Sequence, residues 1–243
     1  MHTSNYWIRH FKANALEKRV DWTTKPQISP GELKCLLTSL QAWQLGETSE
    51  GAHLIAASEK YADKIGDPNY VDAVKLFIKE EQKHGNNLGL YLDAIGKPRV
   101  KQDWGDTLFR KVRYFNTSME LWTIAVIIVE STAQIFYQSL KEASACNLLK
   151  SICDDILIDE AWHIIFQNER LAMIYDGKSN FSKFWRKEAY KYFFYATALL
   201  VWLGHRRVFK KGGNTFKSYL MQIRQKYLKT VRKITYPESI QFA

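Results

Sequence analysis

Apolar residues recur along most of the chain at intervals of three and four, the period of one face of an α-helix. Glycine and proline are few and occur mainly between these stretches, where they mark helix ends. One such start, Ser29-Pro30-Gly31-Glu32, combines an N-cap serine, a proline at the first helical position and a capping-box glutamate. The predicted helices cover about residues 30–65, 68–95, 117–143, 147–175, 182–210 and 214–234, with a short helix near 107–114. No stretch alternates as a strand would, so the pattern predicts an all-α protein.

Two tetrapeptides of the form Glu-x-x-His lie on the second and fourth of the long helices predicted. They place Glu81 with His84, and Glu160 with His163. Residues three apart share one helix face, so both side chains of a pair can reach one metal ion. A carboxylate-bridged di-iron site in a four-helix bundle uses one such pair from each of two helices and one glutamate from each of the other two.

The other two helices of the predicted bundle each supply a glutamate at a matching place. Glu50 precedes Glu81 by 31 residues, and Glu130 precedes Glu160 by 30. In an antiparallel bundle these spacings bring four glutamates to one level. Glu47 also lies on the apolar stripe of the first helix and is the alternative to Glu50. Charged residues in a core need compensation, which a pair of metal ions would supply.

A further acid precedes each motif and is a candidate partner for a histidine. A histidine that binds metal usually donates its second N–H to a carboxylate or a carbonyl, which fixes the ring orientation. We expect Asp159 to hold His84 in this way. Glu80 is expected either to hold His163 or to lie on a solvated helix face.

The glutamates and the two motifs resemble the ferritin-like di-iron carboxylate superfamily, which includes bacterioferritin, the ribonucleotide reductase small subunit and bacterial monooxygenases. The resemblance covers about residues 30–175. It implies a ferritin-like four-helix bundle that holds two iron ions, or manganese with iron, and reacts with O2. The predicted metal ligands are Glu50, Glu81, His84, Glu130, Glu160 and His163, with Asp159 and Glu80 behind them.

Several features of the chain favour an oxidase or oxygenase with a small or lipid-like organic substrate and an external electron donor. About 70 residues follow the predicted bundle. The chain is therefore longer than the iron-storage chains of this superfamily usually are. Bulky apolar residues surround the predicted site, as a closed substrate pocket requires. The alternative is a ferroxidase or peroxide scavenger without organic substrate. Tyr137, two turns past Glu130, is a candidate radical or hydrogen-bonding residue, or else an ordinary core tyrosine.

The charge of the chain is uneven, and this bears on partners. The net charge is +10, and the excess of lysine and arginine lies mainly after residue 183. The helix predicted at 182–210 also carries many aromatic residues between basic ends, which suits contact with a membrane surface or packing on the bundle. The chain shows no recognised nucleic-acid-binding motif, so RNA is the weaker interpretation. The sequence leaves a homodimer open.

On these grounds the sequence divides into three parts. Residues 1–29 form an N-terminal extension, 30–175 the bundle, and 176–243 basic helices packed on the bundle. The N-terminus lacks the apolar core of a signal peptide, and no window reaches the 18 to 20 apolar residues of a membrane span. The three cysteines have no paired spacing. We therefore expect a cytoplasmic protein, peripheral to the membrane if the basic helices bind one.

Overall fold

The computed structural model describes residues 1–114 and 118–235 of the chain, and these form helices joined by connections, of which residues 15–29 form the longest in the described ranges. The helices are α1 Ser4–Asn14, α2 Pro30–Glu47, α3 Ala52–Ile65, α4 Asn69–Ala94, α5 Trp104–Tyr114, α6 Met119–Ala143, α7 Asn147–Tyr175, α8 Asn180–Lys211 and α9 Phe216–Thr235. No strand occurs in the described ranges. The predicted all-α class is confirmed.

Helices α2, α3, α4, α6 and α7 form the bundle, and α6 lies at its centre. Helix α6 packs on α3, α7, α8 and α9, while α4 packs on α2, α3 and α7. By length and composition α6 could cross a membrane, which the sequence pattern had not led us to expect, but 72% of its most apolar window is buried inside the fold. Packing within the bundle accounts for its apolar character.

The single helix predicted over about residues 30–65 is wrong, because the chain breaks between α2 and α3. Helix α2 ends at Glu47, and Gly51 at the start of α3 has a left-handed backbone with φ of 66°. A Cβ atom on Gly51 would lie 2.6 Å from the Ile78 Cδ1 atom of α4. Both the backbone angle and this close approach require glycine. The break changes which acidic residue of this region faces the core.

Helix α1 was not predicted, although its sequence carries a helical pattern. Thr3 caps the helix through its side chain, and Trp7 and Phe11 are buried. The helix packs on α4. At its start the Trp7 indole donates a hydrogen bond of 2.8 Å to the fully buried carboxylate of Glu169 on α7. The first residues of the chain are therefore fixed to the bundle.

The C-terminal helices lie against one side of the bundle. Helix α8 packs on α2, α5 and α6, and α9 packs on α6, α7 and α8. Their ranges agree closely with the predicted helices at 182–210 and 214–234. Helix α8 has a kink at His205, whose φ and ψ are −120° and 16°. The last eight residues of the sequence, 236–243, lie outside the described ranges.

Glu32 joins the start of α2 to the turn between α6 and α7. The predicted capping box is present, with the Ser29 amide and hydroxyl both donating to the Glu32 carboxylate. The same carboxylate accepts the backbone N–H of Ala145 at 2.6 Å. The Ala145 N–H, followed by the donors of Ser29, lowers the pKa of Glu32 to about 2.

Replacing Glu32 with alanine is expected to lower the free energy of unfolding at neutral pH by about 1 kcal/mol, the usual value of a helix cap. Because the folded pKa is depressed, the contribution is complete above the unfolded value near 4.5 and is lost as pH falls towards 2. Denaturation of both proteins across this range measures the difference. A difference that stays constant from neutral pH to pH 2 would contradict the assignment.

Candidate metal centre

Six side chains from four helices meet inside the bundle and present oxygen and nitrogen atoms to one another. They are Glu47 at the end of α2, Glu81 and His84 on α4, Glu130 on α6, and Glu160 and His163 on α7. Two groups form, each with ligand atoms within 4.8 Å of one another. One contains Glu81, Glu130, Glu160 and His163, and the other contains Glu47, Glu81 and His84. Because Glu81 belongs to both groups, the arrangement suits two adjacent metal ions.

The structure does not bring Glu50 to this cluster, and Glu47 stands there instead. Glu50 is exposed in the break between α2 and α3, whereas Glu47 is buried at the last position of α2. The spacing that favoured Glu50 assumed one unbroken helix, and the non-helical residues after Glu47 turn Glu50 away. His53, which is the last residue of a further Glu-x-x-His sequence that begins at Glu50, is also exposed. We therefore take Glu47, the alternative from the sequence, as the candidate ligand.

Buried polar atoms of the cluster lack hydrogen-bond partners among the described residues. They include both oxygens of Glu160, one oxygen each of Glu81 and Glu130, and Nδ1 of His84 and of His163. His163 Nδ1 lies 2.8 Å from the Glu81 Oε1 atom but without hydrogen-bond geometry. Buried polar atoms are costly unless they are satisfied. Atoms of this kind, all pointing at one place, are what a metal site requires.

The electrostatics of the cluster also favour the binding of positive charge. Burial raises the pKa of Glu47, and the charges of Glu81 and Glu130 raise it further. Burial likewise raises the pKa of Glu160, together with the charges of Glu130 and Glu81. Burial acts to raise the pKa of Glu81, but the imidazoles of His163 and His84 outweigh it and lower the value. Divalent cations would relieve this repulsion.

The Nε2 atom of each histidine in the cluster lies within hydrogen-bond distance of the acid that the sequence indicated for it. His84 Nε2 lies 3.0 Å from the Asp159 Oδ2 atom, and His163 Nε2 lies 2.8 Å from the Glu80 Oε2 atom. Both acids come from the opposite motif, and both are buried. The Nδ1 atom of each ring is thereby left facing the cluster. At metal sites, carboxylates in such positions orient the histidines that bind the metal.

Residues of the N-terminal segment support these two acids, and no pattern in the sequence had indicated this. The Asn14 amide donates both to Glu80 and, at 2.8 Å, to Asp159. Arg19 donates to Asp159 at 2.8 Å, and Lys83 does so at 2.5 Å. Apolar residues at helical spacing could have marked α1 as a helix, but no local signal pointed Asn14 and Arg19 at the centre. Residues 1–29 thus contribute to the surroundings of the centre.

Tyr137 of α6 is fully buried and contacts a candidate ligand directly. Its hydroxyl donates a hydrogen bond of 2.7 Å to the Oε1 atom of Glu47. Burial and the neighbouring Glu47 charge raise the pKa of Tyr137 well above its usual value, so the hydroxyl stays protonated. The structure therefore supports a hydrogen-bonding role in holding Glu47, one of the roles expected from the sequence.

Replacing Tyr137 with phenylalanine is expected to weaken metal binding by about 10- to 100-fold, the usual effect of losing an outer partner of a ligand. The physical reason is that Glu47 loses the hydroxyl donor that fixes its Oε1 atom. Titration with Fe(II) under anaerobic conditions measures the change. Tyr70→Phe is the matched control, because Tyr70 is equally buried but lies outside the cluster. Equal affinities in both variants would contradict this role.

A cavity of about 610 Å³ opens onto the cluster. Glu47, Glu81 and Glu130 form part of its wall, and most of the remaining wall is apolar. Residues of α5 and α8 also line it, including Trp104, Leu108, Leu200 and His205. The cavity therefore connects the carboxylates to the side of the bundle that α5 and α8 cover.

Comparison with known proteins identifies the fold. No protein-family model matches the chain, and no curated protein matches it. Solved structures of R2-like ligand-binding oxidases do. A point mutant with an aerobically reconstituted Fe/Fe cofactor aligns with a TM-score of 0.68 at 15% identity, covering 96% of this chain and 93% of that one. A second mutant, with an aerobically reconstituted Mn/Fe cofactor, aligns with a TM-score of 0.67 at 16% identity and the same coverage. The chain has the ferritin-like fold.

The ferritin-like fold agrees with the superfamily resemblance drawn from the sequence. At this level of identity the likeness concerns the fold, so the chemistry has to be argued from the residues of the centre. Four carboxylates and two imidazoles form the donor set of a carboxylate-bridged pair of iron or manganese ions. The partnerless buried atoms and the raised carboxylate pKa values fit such a pair.

Proposed function

We propose that this protein is an O2-dependent oxidase or oxygenase that holds two metal ions, Fe/Fe or Mn/Fe, and acts on a small or lipid-like organic substrate. The candidate ligands are Glu47, Glu81, His84, Glu130, Glu160 and His163. Their buried position, the donor set and the ferritin-like fold support the metal centre. The R2-like ligand-binding oxidases that share the fold carry Mn/Fe or Fe/Fe cofactors, which supports the choice of metals.

The cavity beside the centre is the observation that most supports an organic substrate. Its volume of about 610 Å³ lies within the range of small-molecule sites. Glu47, Glu81 and Glu130 line it, so a compound inside would lie against the candidate ligands. Trp43, Phe77, Trp122 and Val126 contribute to its apolar wall. A protein that only oxidised Fe(II) would not need an apolar cavity of this size at its centre.

Different residues of the centre would have different roles in such a reaction. A bound pair of iron or manganese ions supplies the redox chemistry that reduces O2. Asp159 and Glu80 hold the two imidazoles, and Tyr137 holds the Glu47 carboxylate. The apolar wall excludes water and positions the organic compound beside the carboxylates.

Complete reduction of O2 takes four electrons. It gives two waters when the compound loses two hydrogen atoms, or one water and one product hydroxyl group when an oxygen atom is inserted, and two protons from solvent are consumed in either case. Two electrons come from the organic compound, either by removal of two hydrogen atoms or by insertion of one oxygen atom into a C–H bond. The other two come from an external electron donor. With no such donor, oxidation of the compound by two electrons would yield hydrogen peroxide.

Oxygen consumption by the iron-loaded protein tests the proposal. The protein is loaded with Fe(II) under anaerobic conditions, supplied with a chemical reductant and then given O2 with a panel of apolar compounds of increasing length. Consumption accelerated by a subset of compounds, with an oxidised product detected by mass spectrometry, is the expected result. Turnover with Fe(II) and O2 alone, unaffected by every compound, would instead establish a ferroxidase.

Filling the cavity is expected to remove the response to long compounds while the metal is retained. Gly46 lines the cavity, and a Cβ atom on this residue would meet no other atom within 4 Å. Gly46→Leu should therefore extend into the cavity, whereas the matched control Gly46→Ala should leave it open. We expect at least a tenfold loss of stimulation by the longest effective compound in the leucine variant, as for occlusion of an apolar pocket. Unchanged stimulation at full metal content would show that substrates do not enter this cavity.

A further inference from the structure

Helix α8 is apolar on two opposite faces, of which only one packs against other residues of the described ranges. The inward face buries Tyr190, Phe194, Ala198 and Trp202. The other, here called the outer α8 face, consists of Phe181, Trp185, Tyr192, Leu199 and Leu203, with exposed fractions of 75%, 58%, 71%, 44% and 53%. At 100° per residue these five positions fall within about 40° of one another and extend over roughly 33 Å. This is an apolar stripe on the surface, with the one acid of the helix, Glu188, between Trp185 and Tyr192 on the same face.

Positive charge accompanies the outer α8 face. Helix α8 contains eight lysines and arginines but one acid, Glu188. Four of the basic residues, Arg206, Arg207, Lys210 and Lys211, follow the stripe directly and are exposed. The whole chain carries a net charge of +10. Aromatic residues in an exposed stripe, with basic residues beside it, are the features of a helix that lies in the surface of an anionic membrane.

The rim of the cavity adjoins the same face. Leu200 of α8 and Trp104 and Leu108 of α5 line the cavity and are also 40%, 57% and 41% exposed. Gly204 lies against Trp104, since a Cβ atom on this glycine would be 3.2 Å from the indole ring. The last part of the outer α8 face therefore continues into the apolar rim around the cavity mouth.

From these observations we infer that the outer α8 face docks the protein on the surface of an anionic lipid membrane, with the cavity mouth turned towards the lipid. The stripe inserts its aromatic and leucine side chains among the acyl chains, and the basic residues contact acidic headgroups. Delivery of a lipid-like substrate from the membrane to the cavity rests on the function proposed above. The docking itself does not depend on it.

Vesicle flotation with the metal-loaded full chain tests the docking. The protein is mixed with vesicles of phosphatidylcholine alone or of phosphatidylcholine with phosphatidylglycerol, at low and high salt. We expect binding to the mixed vesicles that weakens with salt, and binding at least about tenfold weaker to the neutral ones. Absence of binding to both vesicle types would overturn the inference and leave the oxygen-consumption test of the proposed function unaffected.

Matched variants locate the contact. Trp185→Ser combined with Leu203→Ser should reduce binding to the mixed vesicles by at least about tenfold, because two large side chains no longer insert. The control is Trp22→Ser combined with Leu90→Ser, which removes the same residue types from exposed positions outside α8. Equal binding by both variants would contradict docking through α8. Sedimentation of each protein without vesicles distinguishes a second copy as the occupant, because a dimer lost only in the α8 variant, without vesicle binding, would also overturn the inference.

Discussion

Replacing Glu160 with alanine is expected to abolish stoichiometric metal binding. Both oxygens of this carboxylate are buried without a hydrogen-bond partner in the described part of the chain. It belongs to the group with Glu81, Glu130 and His163, and its Oε1 atom lies 3.9 Å from His84 Nδ1 in the other group. A carboxylate placed between the two groups is needed for both metal positions. Elemental analysis after anaerobic loading should therefore show that less than one ion per chain remains, against the two of a complete centre.

Two further variants make this prediction specific to the cluster. Glu47→Ala should also lose metal, whereas Glu50→Ala should retain the full content, because Glu50 is exposed in the break after α2. The two residues are three positions apart and of one type, so this pair compares placement alone. Full metal content in Glu160→Ala would show that the cluster is not the metal site. Loss in Glu50→Ala with retention in Glu47→Ala would restore the assignment that the sequence spacing favoured.

Replacing Asp159 with alanine is expected to lower the free energy of unfolding of the metal-free protein by about 1.5–3 kcal/mol, the cost of losing hydrogen bonds to a buried charged group. The side chain is fully buried and accepts hydrogen bonds from Asn14, Arg19 and Lys83 besides its contact with His84. The His84 imidazole and the Lys83 ammonium overcome the effect of burial and hold the pKa of Asp159 far below its usual range. Its loss removes a buried carboxylate from His84, Lys83 and Arg19, while the two cations keep their contacts with Asp155. Denaturant unfolding monitored by circular dichroism measures the change.

Asp154 provides the control for this experiment on the same helix. It pairs with Lys141 at 2.6 Å, but both side chains of this pair are substantially exposed. Asp154→Ala should therefore cost no more than about 1 kcal/mol, as for surface ion pairs. If both variants lose the same stability, the network around Asp159 does not stabilise the fold as described.

Most of the helices and most of the centre could be predicted because their signals are local. Glu81 with His84 and Glu160 with His163 are three residues apart, so helical geometry alone places each pair on one face. Asp159 and Glu80 precede the opposite motifs, and that symmetry assigned Asp159 to His84 and made Glu80 a candidate partner of His163. The capping box of Ser29 and Glu32 was also visible as a short motif.

The choice between Glu47 and Glu50 could not be made from the sequence. It depends on the left-handed Gly51 and on the contact of this glycine with Ile78, twenty-seven residues further along the chain. A single glycine within a helical pattern is compatible with both an unbroken and a broken helix. Only tertiary packing decides, and the break moves Glu50 to the surface.

Asn14 and Arg19 contact the acids beside the centre, and these contacts could not be predicted from the sequence for a related reason. Their partner Asp159 lies more than a hundred residues away in the chain, and polar side chains near a terminus carry no periodic signal. The exposure of the outer α8 face was hidden as well. Apolar residues on both faces of α8 indicate a buried helix, and only the structure shows that residues 1–114 and 118–235 leave one face uncovered.

Metal content of the purified protein is the most direct test of the proposed centre. Elemental analysis, combined with anaerobic Fe(II) titration and an optical spectrum after O2 is admitted, measures how many ions the cluster holds and whether they react. We expect two iron or manganese ions per chain, as in a carboxylate-bridged site, and a near-ultraviolet ligand-to-metal band after O2. A well-folded protein that binds no stoichiometric metal would contradict the proposal.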